Sequence, residues 1–260
     1  MHVVNDRGAH TKGRAAKLVA GSDFVEIKAT IPARQVDAAL ARFHLETEHQ
    51  EERFIYFFDT PDLALLQQGI VARARRRVGG KHDSTIKFRP VDPDDVPPRW
   101  QRFDGFKIES DASDRSVVRS ASLTMPVRRG LIKAVASGDE PIGSLFTEEQ
   151  INFLLSLTNK RFDPSTVVTL GPIRAYRWKF DHPALPWPLT GELWRLPDEQ
   201  RILEVSVKTP AIQAAVGYFG FMGWLAELGA ERDEAQQAKT RWALEYFAGQ
   251  LDTPATAGDA

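Results

Sequence analysis

The sequence contains no cysteine and carries almost no net charge. Its 260 residues include 34 Lys and Arg against 35 Asp and Glu, a formal net charge of −1. The absence of cysteine excludes disulfide bonds, zinc–thiolate sites and thiol nucleophiles. The near-neutral balance excludes the global basic field that drives non-specific nucleic-acid binding. Any anion-binding site must therefore come from local clustering of basic side chains.

Long apolar runs are also lacking. No segment approaches the roughly 20 apolar residues that are needed to span a membrane. The longest apolar run, about 214–228, contains three glycines and is too short. Residues 1–22 are polar and basic, without the apolar stretch of a signal peptide. We therefore expect a cytoplasmic protein that binds neither membranes nor nucleic acid, while its oligomeric state is not indicated.

Length and composition favour one folded domain. Hydrophobic residues make up 42% and charged residues 27% of the chain, which is enough for one sizeable core. We expect a disordered leader over 1–22, a single domain over 23–251 and a flexible tail over 252–260. Many predicted strands without regular strand–helix alternation indicate an antiparallel α+β barrel. A helical insertion is expected at about 115–160, where Thr147–Gln150 has the form of a capping box.

A basic strand is the most informative segment. It follows the turn that begins at Asp59, whose carboxylate is expected to cap the turn rather than to act in catalysis. Side chains alternate between the two faces of a strand, so Arg73, Arg75 and Arg77 share one face and Ala72 lies on the other. Guanidinium groups on one face repel each other unless an anion lies among them. Their planar fork suits phosphate, because it donates two hydrogen bonds at once.

The same division into an apolar and a charged face recurs in four other predicted strands. Their polar faces consist of Glu26, Lys28 and Thr30; Thr85, Lys87 and Arg89; Lys107 and Glu109; and Glu204, Ser206 and Lys208. An ordinary half-solvated sheet with its polar side outward is the simple alternative. The basic excess favours a closed sheet with the charged face inward and helices packed on the outside.

Such a lumen would bind a polyanion with its basic residues and a divalent cation with its few carboxylates. Mg²⁺ and Mn²⁺ prefer oxygen ligands, and Mg²⁺ commonly binds through carboxylates and substrate phosphates. The predicted catalytic residues are Glu26, Lys28, Arg73 and Arg75. The predicted substrate-binding residues are Lys28, Arg73, Arg75, Lys87, Arg89, Lys107, Arg177, Lys179 and Lys208, to which the family resemblance described next adds Lys239. The predicted metal ligands are Glu26, Glu109 and Glu204.

In their order along the chain, these segments resemble the CYTH family, also called triphosphate tunnel metalloenzymes. The family includes inorganic triphosphatases, thiamine triphosphatases and class IV adenylate cyclases. The family's Glu-x-Glu-x-Lys strand is similar to Phe24–Lys28, and its aromatic-Asp-Thr turn to Phe57–Thr60. Its Leu-Arg-x-Arg strand is similar to Ala72–Arg75, and its Leu-Lys pair to Ile86–Lys87. Further matches are Lys107–Glu109, Leu203–Ser206 and the closing segment Ala238–Thr240.

The resemblance implies a closed eight-stranded antiparallel β tunnel that holds a triphosphate, with a metal bound by glutamates. It therefore implies metal-dependent hydrolysis of inorganic triphosphate, a nucleoside triphosphate or another short polyphosphate. Two departures weaken the metal site, since Phe24 stands where the family has its first glutamate and Ser206 where a second acid would follow Glu204. A class IV-type adenylate cyclase and a non-catalytic polyphosphate- or nucleotide-binding protein therefore remain as alternatives.

Overall fold

The computed structural model describes residues 24–45, 50–112, 117–233 and 238–251. The predicted leader, 1–22, and the predicted tail, 252–260, lie outside the described residues. Within the described helices, none is long and apolar enough to cross a membrane.

Strands of the described residues form one closed barrel in the order β1-β5-β6-β4-β3-β2-β7-β8-β9, in which β9 also pairs with β1. Their bounds are Phe24–Ile31 (β1), Glu51–Asp59 (β2), Ile70–Arg77 (β3), His82–Phe88 (β4), Phe106–Ala112 (β5), Val117–Val127 (β6), Val168–His182 (β7), Leu185–Arg195 (β8) and Arg201–Pro210 (β9). The predicted closed α+β barrel is thereby confirmed in outline.

The strand number and direction differ from the prediction of eight antiparallel strands. The described residues contain nine strands, and β1 pairs in parallel with β5, with Val25 opposite Ser110 and Ile27 opposite Ala112. A closed ring with an odd number of strands cannot alternate direction all the way round. One neighbouring pair must therefore be parallel, and here it is β1 and β5.

The additional strand comes from the segment that was predicted to be helical. Residues about 115–160 include β6, and the described helices of this segment begin only at Leu131. The inward side chains of β6 include Ser122 and Thr124, so this strand lacks the charged face that marks its neighbours. The predicted capping box is confirmed, because Thr147 Oγ1 accepts from the Gln150 backbone and Gln150 Oε1 from the Thr147 backbone.

Helices cover the outer surface of the barrel. Their bounds are Val36–Arg42 (α1), Ala64–Gln67 (α2), Leu131–Ala136 (α3), Glu148–Thr158 (α4), Ala214–Glu227 (α5) and Lys239–Leu251 (α6), with short 3₁₀ turns between them. Helices α1 and α5 pack on the apolar outer faces of β1, β8 and β9, while α3 and α4 pack on those of β3, β4 and β6. With these faces covered, the opposite faces of the same strands point into the barrel.

One end of the barrel interior is apolar. Phe57, Val71, Leu170 and Trp194 come together there from four strands, and Leu244 of α6 packs against them. Helix α6 thus lies across this end, and its first residue, Lys239, reaches the barrel interior. The charged side chains line the part of the lumen on the other side of this apolar layer from α6.

Asp59 has the structural role expected from the sequence. Its buried carboxylate accepts hydrogen bonds from the backbone N–H groups of Thr60, Leu65 and Leu66 at 2.8, 2.9 and 3.0 Å. Burial raises its pKa above the ordinary value despite these bonds. Asp59 therefore fixes the start of α2 between β2 and β3.

The outer packing yields a stability prediction. Phe153 of α4 is fully buried, with its ring centroid 5.4 Å from that of Trp100 and 6.1 Å from that of Phe106. Phe153→Ala should lower the free energy of unfolding by about 3–5 kcal/mol, because it leaves a cavity between the helix and the barrel. Leu155→Ala on the exposed side of α4 is the control, with a loss below about 1 kcal/mol in the same urea titration. Equal losses would contradict this packing.

Candidate functional site

The barrel encloses a cavity of about 520 Å³. Among the described residues that line it, ten are basic and five are acidic. The basic residues are Lys28, Arg53, Arg73, Arg75, Arg77, Lys87, Arg89, Lys107, Arg177 and Lys239. The acidic residues are Glu26, Glu109, Asp111, Glu192 and Glu204. This excess of positive charge in an enclosed space favours an anionic ligand.

The side formed by β2, β3 and β7 carries the arginine wall, which we define as Arg53, Arg73, Arg75, Arg77 and Arg177. Two carboxylates anchor part of this wall. Asp83 accepts from Nη2 of Arg75 at 2.9 Å and from Nη2 of Arg77 at 2.8 Å.

Glu51 is the second anchor of the arginine wall. It accepts from Nε and Nη2 of Arg53 at 2.9 and 2.7 Å, and it lies 3.2 Å from Nε of Arg77. Arg77 is therefore held from both sides by Glu51 and Asp83. Such bidentate and shared ion pairs fix guanidinium groups in defined orientations before any ligand arrives.

Arg73 lies at the end of the wall next to the apolar layer, where it is the cross-strand neighbour of Phe57. No acidic side chain of the described residues lies within ion-pair distance of it, and its Nε is buried without a hydrogen-bond partner. Burial and the neighbouring Arg75 lower the pKa of Arg73 to about 10. Because a buried cation is costly when unpaired, this arrangement points to an anionic ligand at Arg73.

Two further basic side chains, Arg177 and Lys87, face the same cavity, and burial lowers the pKa of each. Burial, followed by the charge of Arg53, lowers the pKa of Arg177. Lys87 Nζ is 3.8 Å from the nearest oxygens of both Glu109 and Asp111, and burial lowers its pKa. Both groups would gain from an anion that contacts the arginine wall.

The opposite side of the lumen carries the lysine–carboxylate network, defined as Lys28, Lys239, Glu26, Asp111, Glu192 and Glu204. Lys28 Nζ lies 2.9 Å from Asp111, 3.2 Å from Glu26 and 4.0 Å from Glu204. Lys239 Nζ lies 2.6 Å from Glu192 and 2.8 Å from Glu204. The two ammonium groups thus bridge four carboxylates that come from β1, β5, β8 and β9.

The charges of the network stabilise one another. Burial would lower the pKa of Lys28, but Asp111, Glu26 and Glu204 outweigh burial and hold it well above its ordinary value. Burial would raise the pKa of Asp111, but Lys28 and Lys87 outweigh burial and hold it well below. Near neutral pH, Lys28 and Asp111 are therefore both charged.

The predicted metal ligands Glu26, Glu109 and Glu204 all lie near lysine ammonium groups. Glu26 pairs with Lys28 and accepts from Ser206 Oγ at 3.0 Å, Glu204 pairs with Lys239, and Glu109 lies 3.8 Å from both Lys87 and Lys208. Over the described part of the chain, no group of three His, Asp or Glu side chains could hold a metal ion. As placed here, these carboxylates hold ammonium groups and do not fit a protein-bound Mg²⁺ or Mn²⁺.

Most of the predicted substrate-binding residues come together in one cavity. The cavity lining includes Lys28, Arg73, Arg75, Lys87, Arg89, Lys107, Arg177 and Lys239. Lys179 is exposed and does not line it. Lys208 lies in a separate depression with Lys107 and Phe24, and its side chain is 49% exposed, with its ammonium 5.2 Å from the centre of the Phe24 ring.

Several residues of the site were absent from the sequence prediction. Asp111 shares the inward face of Lys107 and Glu109, but the predicted strand ended one residue before it. Arg53 shares a face with Ile55 and Phe57, and an apolar face gives no sign of a cation that points inward. The anchors Glu51 and Asp83 share the strand faces of Arg53 and of Thr85 and Lys87, but each predicted strand began one residue after its anchor.

Two solved structures share this barrel over most of the chain. A candidate adenylate cyclase from Bacillus halodurans is 13% identical, with a TM-score of 0.58 over 85% of this chain and 97% of its own. HpAC1 from Hippeastrum, a candidate adenylyl cyclase described as having a dominant triphosphatase activity, is 17% identical, with a TM-score of 0.58 over 86% of this chain and 96% of its own. The chain has the fold of the CYTH family.

This result confirms the resemblance drawn from the order of the motifs. No family model and no curated protein matches the sequence. Within the CYTH fold, both departures from the family pattern lie on the inward face. Phe24 lies beneath Lys208, and Ser206 donates a hydrogen bond to Glu26. The two positions therefore supply no carboxylate to the site.

The network leads to a pH prediction. Because the folded-state pKa of Asp111 is lowered, its stabilising effect is present above the unfolded pKa of about 3.9 and is lost as the pH falls below it. At pH 7, Asp111→Asn should lower the free energy of unfolding by about 2 kcal/mol, since Lys28 loses its nearest partner.

Urea titrations of wild type and Asp111→Asn from pH 7 to pH 3 measure this difference. It should shrink as the pH falls from 4 to 3. The exposed Asp104, which precedes β5, provides the control Asp104→Asn, with little effect at any pH. A difference between wild type and Asp111→Asn that stays constant down to pH 3 would contradict the ion pairs of the network.

Proposed function

We propose that the cavity binds the phosphate chain of inorganic triphosphate or another short polyphosphate, and that the protein hydrolyses its terminal phosphoanhydride bond. The observation that carries the proposal is the guanidinium of Arg73, which lies inside the closed barrel and has no ion-pair partner among the described residues. Arg75, Arg177 and Lys87 face the same cavity. Phosphate oxygens would supply the negative charge that Arg73 lacks among the described residues.

The spacing of the inward arginines along β3 supports binding of a chain-like anion. The inward residues Arg73, Arg75 and Arg77 follow one another along β3, so a ligand can contact successive guanidinium groups along the strand axis. Each guanidinium can donate two parallel hydrogen bonds to one phosphate. A linear polyphosphate presents its phosphates in the same way, one after another.

Hydrolysis would depend on positioning and charge. In phosphoryl transfer, the protein mainly holds the phosphates and stabilises the charge that develops on the transferred group and on the leaving oxygen. Arg73 and Arg75 would do this from the arginine wall. Lys28, paired with Glu26 on the opposite wall, would contact the phosphate chain from the other side.

Metal dependence remains a prediction of the family resemblance. Mg²⁺ or Mn²⁺ would neutralise phosphate charge and polarise the phosphoryl group. In this structure, Glu26 and Glu204, which were predicted to hold such an ion, are paired with Lys28 and Lys239.

Non-catalytic binding of a polyphosphate or nucleotide is the second candidate function. It is favoured by the pairing of the predicted metal ligands with lysines. Phe24 and Ser206, at positions that are acidic in the family motif, also favour it. It predicts binding without phosphate release. A class IV-type cyclase would form cyclic AMP from ATP, and no described residue favours that reaction over hydrolysis.

Binding can be tested with two arginines of one strand. Arg177→Ala should weaken the binding of triphosphate by about 10- to 100-fold, the loss expected for a charge-assisted hydrogen bond. Arg174 of the same strand points outward, is 53% exposed and pairs with Glu52. Arg174→Ala should therefore bind triphosphate as the wild type does, measured by isothermal titration calorimetry. Equal loss in both variants would place the ligand outside the barrel.

Catalysis is tested by phosphate release from triphosphate, with ATP in parallel and with Mg²⁺, Mn²⁺ or EDTA. We expect release by the wild type and at least about a 100-fold loss in Arg73→Ala, because the unpaired guanidinium would contact the reacting phosphates. Arg34→Ala, a change at an exposed residue outside the barrel, is the control. Binding without release would support the second candidate, and cyclic AMP formation would support the cyclase.

A further inference from the structure

We propose that Lys28 and Lys239 are the resident cations of this barrel and take the place of a protein-bound divalent metal. Their ammonium groups bridge the four carboxylates of the lysine–carboxylate network. The protein alone would then have no site for Mg²⁺ or Mn²⁺. This inference concerns the residues of the chain and holds whether or not the ligand is a polyphosphate.

The surroundings of Lys28 provide the first argument. Asp111, Glu26 and Glu204 approach its Nζ from three neighbouring strands, at 2.9, 3.2 and 4.0 Å. Carboxylate oxygens are the donors that a hard divalent cation would need. Here the ammonium of Lys28 lies among them, and as placed the described carboxylates form no group that could hold a metal ion.

Lys239 provides an independent argument from a different element. It enters the lumen from the first turn of α6, and its Nζ contacts Glu192 at 2.6 Å and Glu204 at 2.8 Å. Glu204 is therefore shared by both lysines. Each of the four carboxylates has at least one ammonium within ion-pair distance, so none is left with an uncompensated charge.

Displacement of these lysines by a metal would be unfavourable. The lining already holds ten basic side chains against five acidic ones, and an expelled ammonium group would stay among them. The side chains of Lys28 and Lys239 are only 26% and 13% exposed. A divalent cation would thus lose its hydration and gain only carboxylates that already have partners.

The test is a Mn²⁺ titration of the protein alone, followed by the electron paramagnetic resonance signal of free Mn²⁺. The wild type should bind no Mn²⁺ at about 1 mM, the weak limit for protein sites that bind such cations. Lys28→Ala should bind Mn²⁺ at least about tenfold more tightly, because Asp111, Glu26 and Glu204 are released together. If Lys28→Ala does not fold, Lys239→Ala serves as the second variant, because it releases Glu192 and Glu204.

Lys107→Ala is the matched control. It removes one positive charge from the same lining without an ion pair to the network. It should leave Mn²⁺ binding unchanged, which separates release of the carboxylates from a general change in charge. Tight Mn²⁺ binding by the wild type would overturn the inference, and so would the absence of any gain in both lysine variants.

The consequence of this inference for triphosphate binding rests on the proposed function. A second titration distinguishes failure of the inference from failure of the proposed function. If both hold, calorimetry should detect triphosphate binding to the wild type in EDTA. Binding that requires Mg²⁺ or Mn²⁺, together with Mn²⁺ binding by the wild-type protein alone, would overturn the inference and keep the proposed function. No triphosphate binding under any condition would overturn the proposed function, while the Mn²⁺ titration would still decide the role of the lysines.

Discussion

The alternation of side chains along strands that close into a ring governs the whole structure. Each strand sends one set of residues outward to the covering helices and the other set into the lumen. Val25 and Ile27 therefore pack beneath α5, while Glu26 and Lys28, their immediate neighbours, face the cavity. A shift of one residue in a strand with a charged inward face would bury charges beneath a helix, so fold and site depend on the same register.

Closure also separates the charges into two walls with different properties. The arginine wall is partly anchored by Glu51 and Asp83, yet none of the described residues forms an ion pair with Arg73. The lysine–carboxylate network opposite is paired throughout. An incoming anion would therefore gain most on the arginine side, and the network would hold the other side of the lumen in place. The basic excess inside an otherwise neutral protein comes from this sorting of charges between lumen and surface.

Much of the fold and part of the site could be predicted from short local patterns. The period-two alternation in β1, β3, β4, β5 and β9 identified the inward faces, and the order of the motifs indicated the fold of the CYTH family. The prediction of strands failed where the inward face of a strand has no charged side chain. Strand β6 presents Ser122 and Thr124 to the lumen, and a segment of small polar residues was interpreted as part of a helical insertion.

Sequence alone determined which residues share a face and which chemical groups that face offers, because alternation is a local property of an extended chain. It could not determine which groups from different strands meet. The pairing of Lys28 with Asp111 depends on the parallel contact of β1 with β5, which exists because nine strands close the ring. The pairing of Lys239 with Glu192 depends on α6 lying across the barrel end. Only the tertiary structure decided that the predicted metal ligands hold lysines, since such contacts join residues far apart in the chain.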